Sequence, residues 1–157
     1  MRTSTVHELK KELAGLSPSE LIEVCLRLAK YKKDNKELMT FLLFEAHDLA
    51  GYVEGVKEEI REQMKDLSSS PYLMKKSLRK ILRITNKYIR YAASKETEVE
   101  LLIYFCEQVR EVKVPLYRNT QLAGLYDQQI KKIHKAVSAL HEDLQYDYLR
   151  ALKALEN

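Results

Sequence analysis

Apolar residues recur along this chain at helical rather than strand spacing. Val6, Leu9 and Leu13 share one face of a short first segment, the i, i+3, i+7 pattern of an amphipathic helix. Thr5-Val6-His7-Glu8 has capping-box form, in which hydroxyl and carboxylate satisfy amides of the first turn. Gly15 is a natural stop. Ser17-Pro18-Ser19-Glu20 opens a second helix with proline at its first position. Leu21, Cys25 and Leu28, flanked by Ile22, Leu26 and Ala29, form its apolar stripe. The polar cluster 32–36 ends it, and Asp34 with Glu37 repeats the capping-box pattern.

Between 35 and 67 a helical register of apolar residues runs through 38, 42, 46, 49, 53, 56, 60, 64 and 67. One unbroken helix there would be about 50 Å long at roughly 1.5 Å per residue. Gly51 and Gly55 weaken it, at about 1 kcal/mol each against alanine. Two helices are therefore expected, with the break near His47-Asp48 and Asp48 as cap. Ser68-Ser69-Ser70-Pro71 reads as a linker, with Ser70 capping a helix over 71–93. Ser94 caps the next, which runs to about 113 and buries Val99, Leu102, Ile103, Cys106 and Val109. A loop around Pro115 and Asn119 precedes a final helical stretch, with His141-Glu142-Asp143 marking a break inside it. The expectation is an all-α chain of six to eight helices in antiparallel hairpins. They would form either a curved HEAT/TPR-like array or a compact bundle, as a single domain over 1–157.

Composition adds little to that picture. Only four glycines and three prolines occur in 157 residues, and 45% of the chain is apolar, enough to build a core. The longest uncharged apolar run, 38–44, is too short to span a bilayer. The opening residues are polar and amphipathic rather than signal-like. Cys25 and Cys106 both lie at core-like positions, as reduced, buried thiols do. These features predict a cytoplasmic protein with no membrane association.

Charge distribution changes the picture more. Residues 1–66 carry 11 basic against 13 acidic side chains, and 96–157 carry 8 against 10. The 29 residues between, 67–95, carry eight basic side chains and no acidic one. On the helix over 71–93, Lys76, Lys80, Arg83, Lys87 and Arg90 share a face, with Arg79 flanking it. Exposed helices usually interleave glutamate with lysine, because like charges four apart repel. An acid-free stripe can neutralise phosphates or dock an acidic partner. It can equally be a solvated face, or one paired with Glu54, Glu58, Glu59 and Glu62 before it and Glu96, Glu98, Glu100, Glu107 and Glu111 after it. The solvated or internally paired face is the favoured expectation.

Other chemistry is sparse. None of His7, His47, His134 and His141 follows a glutamate by three positions, so the di-iron bundle motif is missing, and the two separated cysteines make no zinc cluster. No Gly-x-Ser-x-Gly elbow occurs, and the carboxylates are scattered. No catalytic residue, metal or cofactor is implied. Ten tyrosines and no tryptophan suit helix boundaries, where a ring packs while its hydroxyl stays wet. For Tyr91, beside Arg90 and Lys87, stacking on a base or a partner side chain is the alternative, and core or boundary packing is the favoured expectation.

Two resemblances accompany these readings. The stretches Leu9-Lys10-Lys11-Glu12-Leu13 and Leu16-Ser17-Pro18-Ser19-Glu20-Leu21-Ile22-Glu23, then Glu100-Leu101-Leu102-Ile103-Tyr104-Phe105-Cys106-Glu107 and the two-helix tail beyond Tyr117, resemble an uncharacterised bacterial family of small helical proteins. The resemblance implies a helical-hairpin fold and carries over no catalytic residue. The glycine expected between its last two helices is missing here. The opening hairpin also resembles a SAP-type DNA-binding motif, but Ser17-Pro18 stands where that motif has glycine and lysine. The leading expectation is a non-enzymatic, intracellular scaffold for an unidentified protein partner, with self-association left open. A nucleic-acid-binding accessory protein using the basic helix is the alternative.

Overall fold

Five side-chain caps set where helices begin in the computed structural model, which describes residues 1–156. Thr5 and Ser17 form complete capping boxes with Glu8 and Glu20 and open α1 (Val6–Ala14) and α2 (Pro18–Tyr31). The Thr5 amide donates to Glu8 Oε2 at 2.7 Å, and the Ser17 amide to Glu20 Oε2 at 2.8 Å. Those hydrogen bonds hold both carboxyls below their usual pKa, the first mainly through the Thr5 backbone and the second through the Ser17 hydroxyl. Asp48 caps α4 (Leu49–Lys65), Ser94 caps α6 (Lys95–Glu111) and Asn119 caps α7 (Thr120–Val137). The expected break at Asp48 and the break before α8 (Glu142–Glu156) are both present.

Two start signals read differently in the structure. Helix α3 (Lys33–Thr40) begins one residue before Asp34, and Lys32, its cap position, supplies no side-chain bond. Lys32 is extended, so the chain turns there through its backbone. Ser70 makes no side-chain cap for α5 (Pro71–Ala92), while its amide donates to the Ser68 hydroxyl at 3.1 Å. Pro71 needs no amide partner at the first helical position, which leaves Ser70 free to close the serine linker instead.

By internal contact the chain divides into two compact units, Met1–Phe44 and Glu45–Asn157. In the first, α2 and α3 pack on each other, and Asn35 Nδ2 donates to the Leu28 carbonyl at 2.8 Å. A π-helical turn, Phe41–Glu45, continues α3. None of α1, α2 and α3 contains a buried residue. The apolar stripes read from the sequence are present as faces, but Val6, Leu9, Ile22, Leu26 and Leu28 stay exposed. Cys25 is exposed with them, against the expectation of a core position.

The second unit holds the core. Helix α6 packs on α4, α5, α7 and α8; α4 also packs on α5, and α5 on α7. Helices α4, α6 and α8 thus form one layer and α5 and α7 the other, as stacked helical hairpins do. Placed between neighbours on both sides, α6 is buried around most of its circumference: Val99, Leu101, Leu102, Phe105 and Cys106 are wholly inaccessible. Leu78 of α5, Leu122 and Ile133 of α7 and Leu152 of α8 close on it. Two buried hydroxyls are met, one locally and one by a neighbouring helix, whereas Tyr104 Oη and Gln129 Oε1 are buried without a hydrogen-bond partner. Thr85 Oγ1 donates to the Ile81 carbonyl at 2.9 Å, and Tyr126 Oη to the Leu155 carbonyl at 2.9 Å. The described residues contain no strand, and no helix long and apolar enough to cross a membrane.

Candidate anion-binding groove

The apolar positions of α5 decide where its cations point. Leu78, Ile81, Leu82, Thr85 and Ile89 are buried against the core, so Lys76, Arg79, Lys80, Arg83 and Arg90 face outward and are exposed. Five of the nine glutamates expected to neutralise them pair with other bases. Glu54 and Glu100 both hold Lys57 Nζ, at 2.7 and 2.6 Å. Glu58 pairs with Arg61, Glu62 with Lys65, and Glu98 with Lys95. Burial alone would lower the Lys57 pKa, but the hydrogen bonds that its ammonium donates to Glu100 and Glu54 outweigh it and hold it above its usual value. Among the described residues, Lys76, Arg79, Lys80, Arg83 and Arg90 make no ion pair. The internally paired alternative therefore fails for these five, because α4 presents its acids to its own bases one turn away.

Packing of α5 beside α7 turns part of the stripe into a groove. Arg79 and Arg83 line an open cleft of about 470 Å³ together with Lys75 and, from α7, Lys132. Asn86, Gln121 and Gln128 add amide groups to its walls, and no carboxylate lines it. Lys75 Nζ donates to Gln121 Oε1, which bridges the two helices at one end. A contiguous hollow on the outer side of α5 takes in Lys76, Lys80 and the exposed ring of Tyr72, again without an acid.

The six sequence-predicted residues do not act as one row. Arg79 and Arg83 belong to both depressions, and Lys76 and Lys80 to the outer one. Arg90 stands at the far end of the helix, in a separate hollow that also contains Glu98. Lys87 is half-buried, its ammonium 5.1 Å from the centre of the Tyr88 ring and 5.9 Å from that of Tyr91. Tyr91 is thus engaged with its neighbours rather than presented for stacking, and its ring also lies edge-on to Tyr88. Lys75 and Lys132 were missed because each looks ordinary in sequence. Only the pairing of α5 with α7, 45 to 50 residues apart in chain order, brings them together.

The remaining polar chemistry does not converge on this groove. The Cys106 thiol is pushed up to about 12 by burial, with Glu107 adding to it, and it sits in the core. Burial likewise pushes the Tyr148 phenol up to about 12, with Glu96 adding to it. No group of three histidine, cysteine or acidic side chains among the described residues is arranged to hold a metal. Together the fold and groove define an all-α protein with an acid-free basic cleft between two parallel-layer helices. No family model, no curated protein and no solved structure matches the chain, so the reading of the cleft rests on its own residues.

Proposed function

We propose that this chain is a non-enzymatic binding module whose α5–α7 face docks on nucleic-acid phosphates. One observation carries the reading: cations from two helices converge on a cleft that contains no carboxylate and no ion pair to satisfy them. Lys75, Arg79 and Arg83 follow one another at four-residue steps, so they stand about 6 Å apart along the helix. A regular row of this kind, with amide donors beside it, suits a phosphate backbone. The exposed ring of Tyr72 at the edge of the same basic surface offers a face on which an unpaired base stacks.

The test is fluorescence anisotropy with labelled duplex DNA and single-stranded RNA at low and near-physiological salt. Four cations engaged with duplex phosphates give a log–log salt slope of roughly −3.6, or a loss of about two orders of magnitude between roughly 50 and 200 mM salt. The triple variant Arg79→Glu, Arg83→Glu, Lys132→Glu should abolish binding with its helical content unchanged. No binding by the wild type at low salt sinks the proposal and leaves the stripe a solvated face. A second reading, a docking module for a protein, is favoured by a different observation, the exposed apolar side chains of α1, α2 and the π turn.

A further inference from the structure

The segment Met1–Phe44 carries a second depression, unlike the first in composition. Helices α2 and α3 with the π turn enclose an open groove of about 590 Å³. Leu26, Ala29, Met39, Leu43 and Phe44 supply an apolar surface. Leu43 and Phe44 are 64% and 67% exposed, a large cost in hydrated apolar area for neighbouring side chains. Lys30, Lys32, Lys33 and Lys36 stand around that surface, and no acid lines it. Lys33 reaches Glu37 at 3.5 Å, yet its own side chain remains 86% exposed.

We propose that this groove binds an acidic amphipathic helix of a partner protein. An apolar trough between two helices accepts the apolar stripe of a third, and four lysines within seven residues select glutamates or aspartates flanking that stripe. The same rim disfavours a second copy of the chain, since a two-fold contact through this groove would set lysines against lysines. The apolar floor disfavours nucleic acid. This site is independent of the α5–α7 cleft.

The probe is a labelled peptide of about four helical turns with a leucine stripe flanked by glutamates. Two counterparts carry glutamine or lysine at the flanks, and all are titrated onto the full chain by anisotropy. The glutamate peptide should bind best. Leu43→Ser with Phe44→Ser should weaken it by about tenfold or more, and so should Lys30→Glu with Lys33→Glu and Lys36→Glu. The charge-reversed chain should bind the lysine peptide instead. Circular dichroism checks both variants. If the serine variant loses helix, the exposed lysine exchange alone decides, because a charge swap of preference cannot come from unfolding. Absence of binding by the glutamate peptide overturns the proposal, as does equal binding of the glutamine peptide. Phosphatidylserine vesicles that compete the peptide away would assign the groove to a membrane surface. Dimerisation in sedimentation, abolished by the serine variant, would assign it to a second copy. Either result rejects the partner helix.

Discussion

Cys25 and Cys106 have the same covalent chemistry and opposite surroundings. Cys25 lies on an exposed face of α2, whereas Cys106 is inaccessible inside α6 with its thiol pushed up to about 12. The thiolate is the reactive form, so burial protects Cys106 twice, by excluding the reagent and by suppressing ionisation. Titration of the native protein with a disulfide reagent at neutral pH should modify Cys25 alone. Cys106 should react only on unfolding, and a Cys25→Ser protein should be silent until denaturant is added. Rapid labelling of both thiols in the native state would contradict the burial of α6. The sequence does not separate them, because each occupies an apolar stripe with helical spacing. What differs is whether anything packs on that stripe, and packing is a property of partners distant in the chain.

At the scale of the element, local grammar was largely legible and pairing was not. Thr5, Ser17, Asp48 and Ser94 each cap where the sequence places a cap, because a cap needs only residues three or four positions apart. The basic stripe was legible as a stripe for the same reason. That Lys76, Arg79, Lys80, Arg83 and Arg90 make no ion pair was not, since that depends on glutamates of α4 choosing Lys57, Arg61 and Lys65 over α5. Two backbone positions give a stability test at this scale. Gly55 lies exposed within α4, and a Cβ there would meet nothing within 4 Å, so Gly55→Ala should stabilise by about 1 kcal/mol. Ala93 ends α5 in the left-handed region, at φ 49° and ψ 31°, where glycine has no Cβ penalty, so Ala93→Gly should also gain about 1 kcal/mol. Gly51→Ala is the control. Its Cβ would collide with the Asp48 carboxylate that caps the same helix, which offsets the propensity gain. Urea denaturation of the three variants should show the midpoint rising for the first two and not for the third.

For the whole chain, stability should be uneven in a way that separates the two candidate surfaces. Every residue of the main core cluster falls between Val53 and Leu155, while α1, α2 and α3 bury none. Amides open with free energies that follow the apolar contact around them, from near zero in exposed segments to the global value in the core. Native-state hydrogen exchange should therefore be slowest in α6, whose inner amides open only with global unfolding. It should be faster throughout α1–α3, where helices that bury no residue of their own open locally. Addition of an anionic nucleic acid should slow exchange in α5 and α7 and leave α2 and α3 unchanged. Addition of a glutamate-flanked amphipathic peptide should do the reverse. A ligand stabilises the segment that it contacts by mass action, so the pattern reports the site directly. Uniform protection across α1–α8 without ligand would mean that the exposed faces of α1–α3 do not set their local stability. Protection of α2 and α3 by nucleic acid would move the phosphate site away from Arg79, Arg83 and Lys132, to the lysines of the first unit.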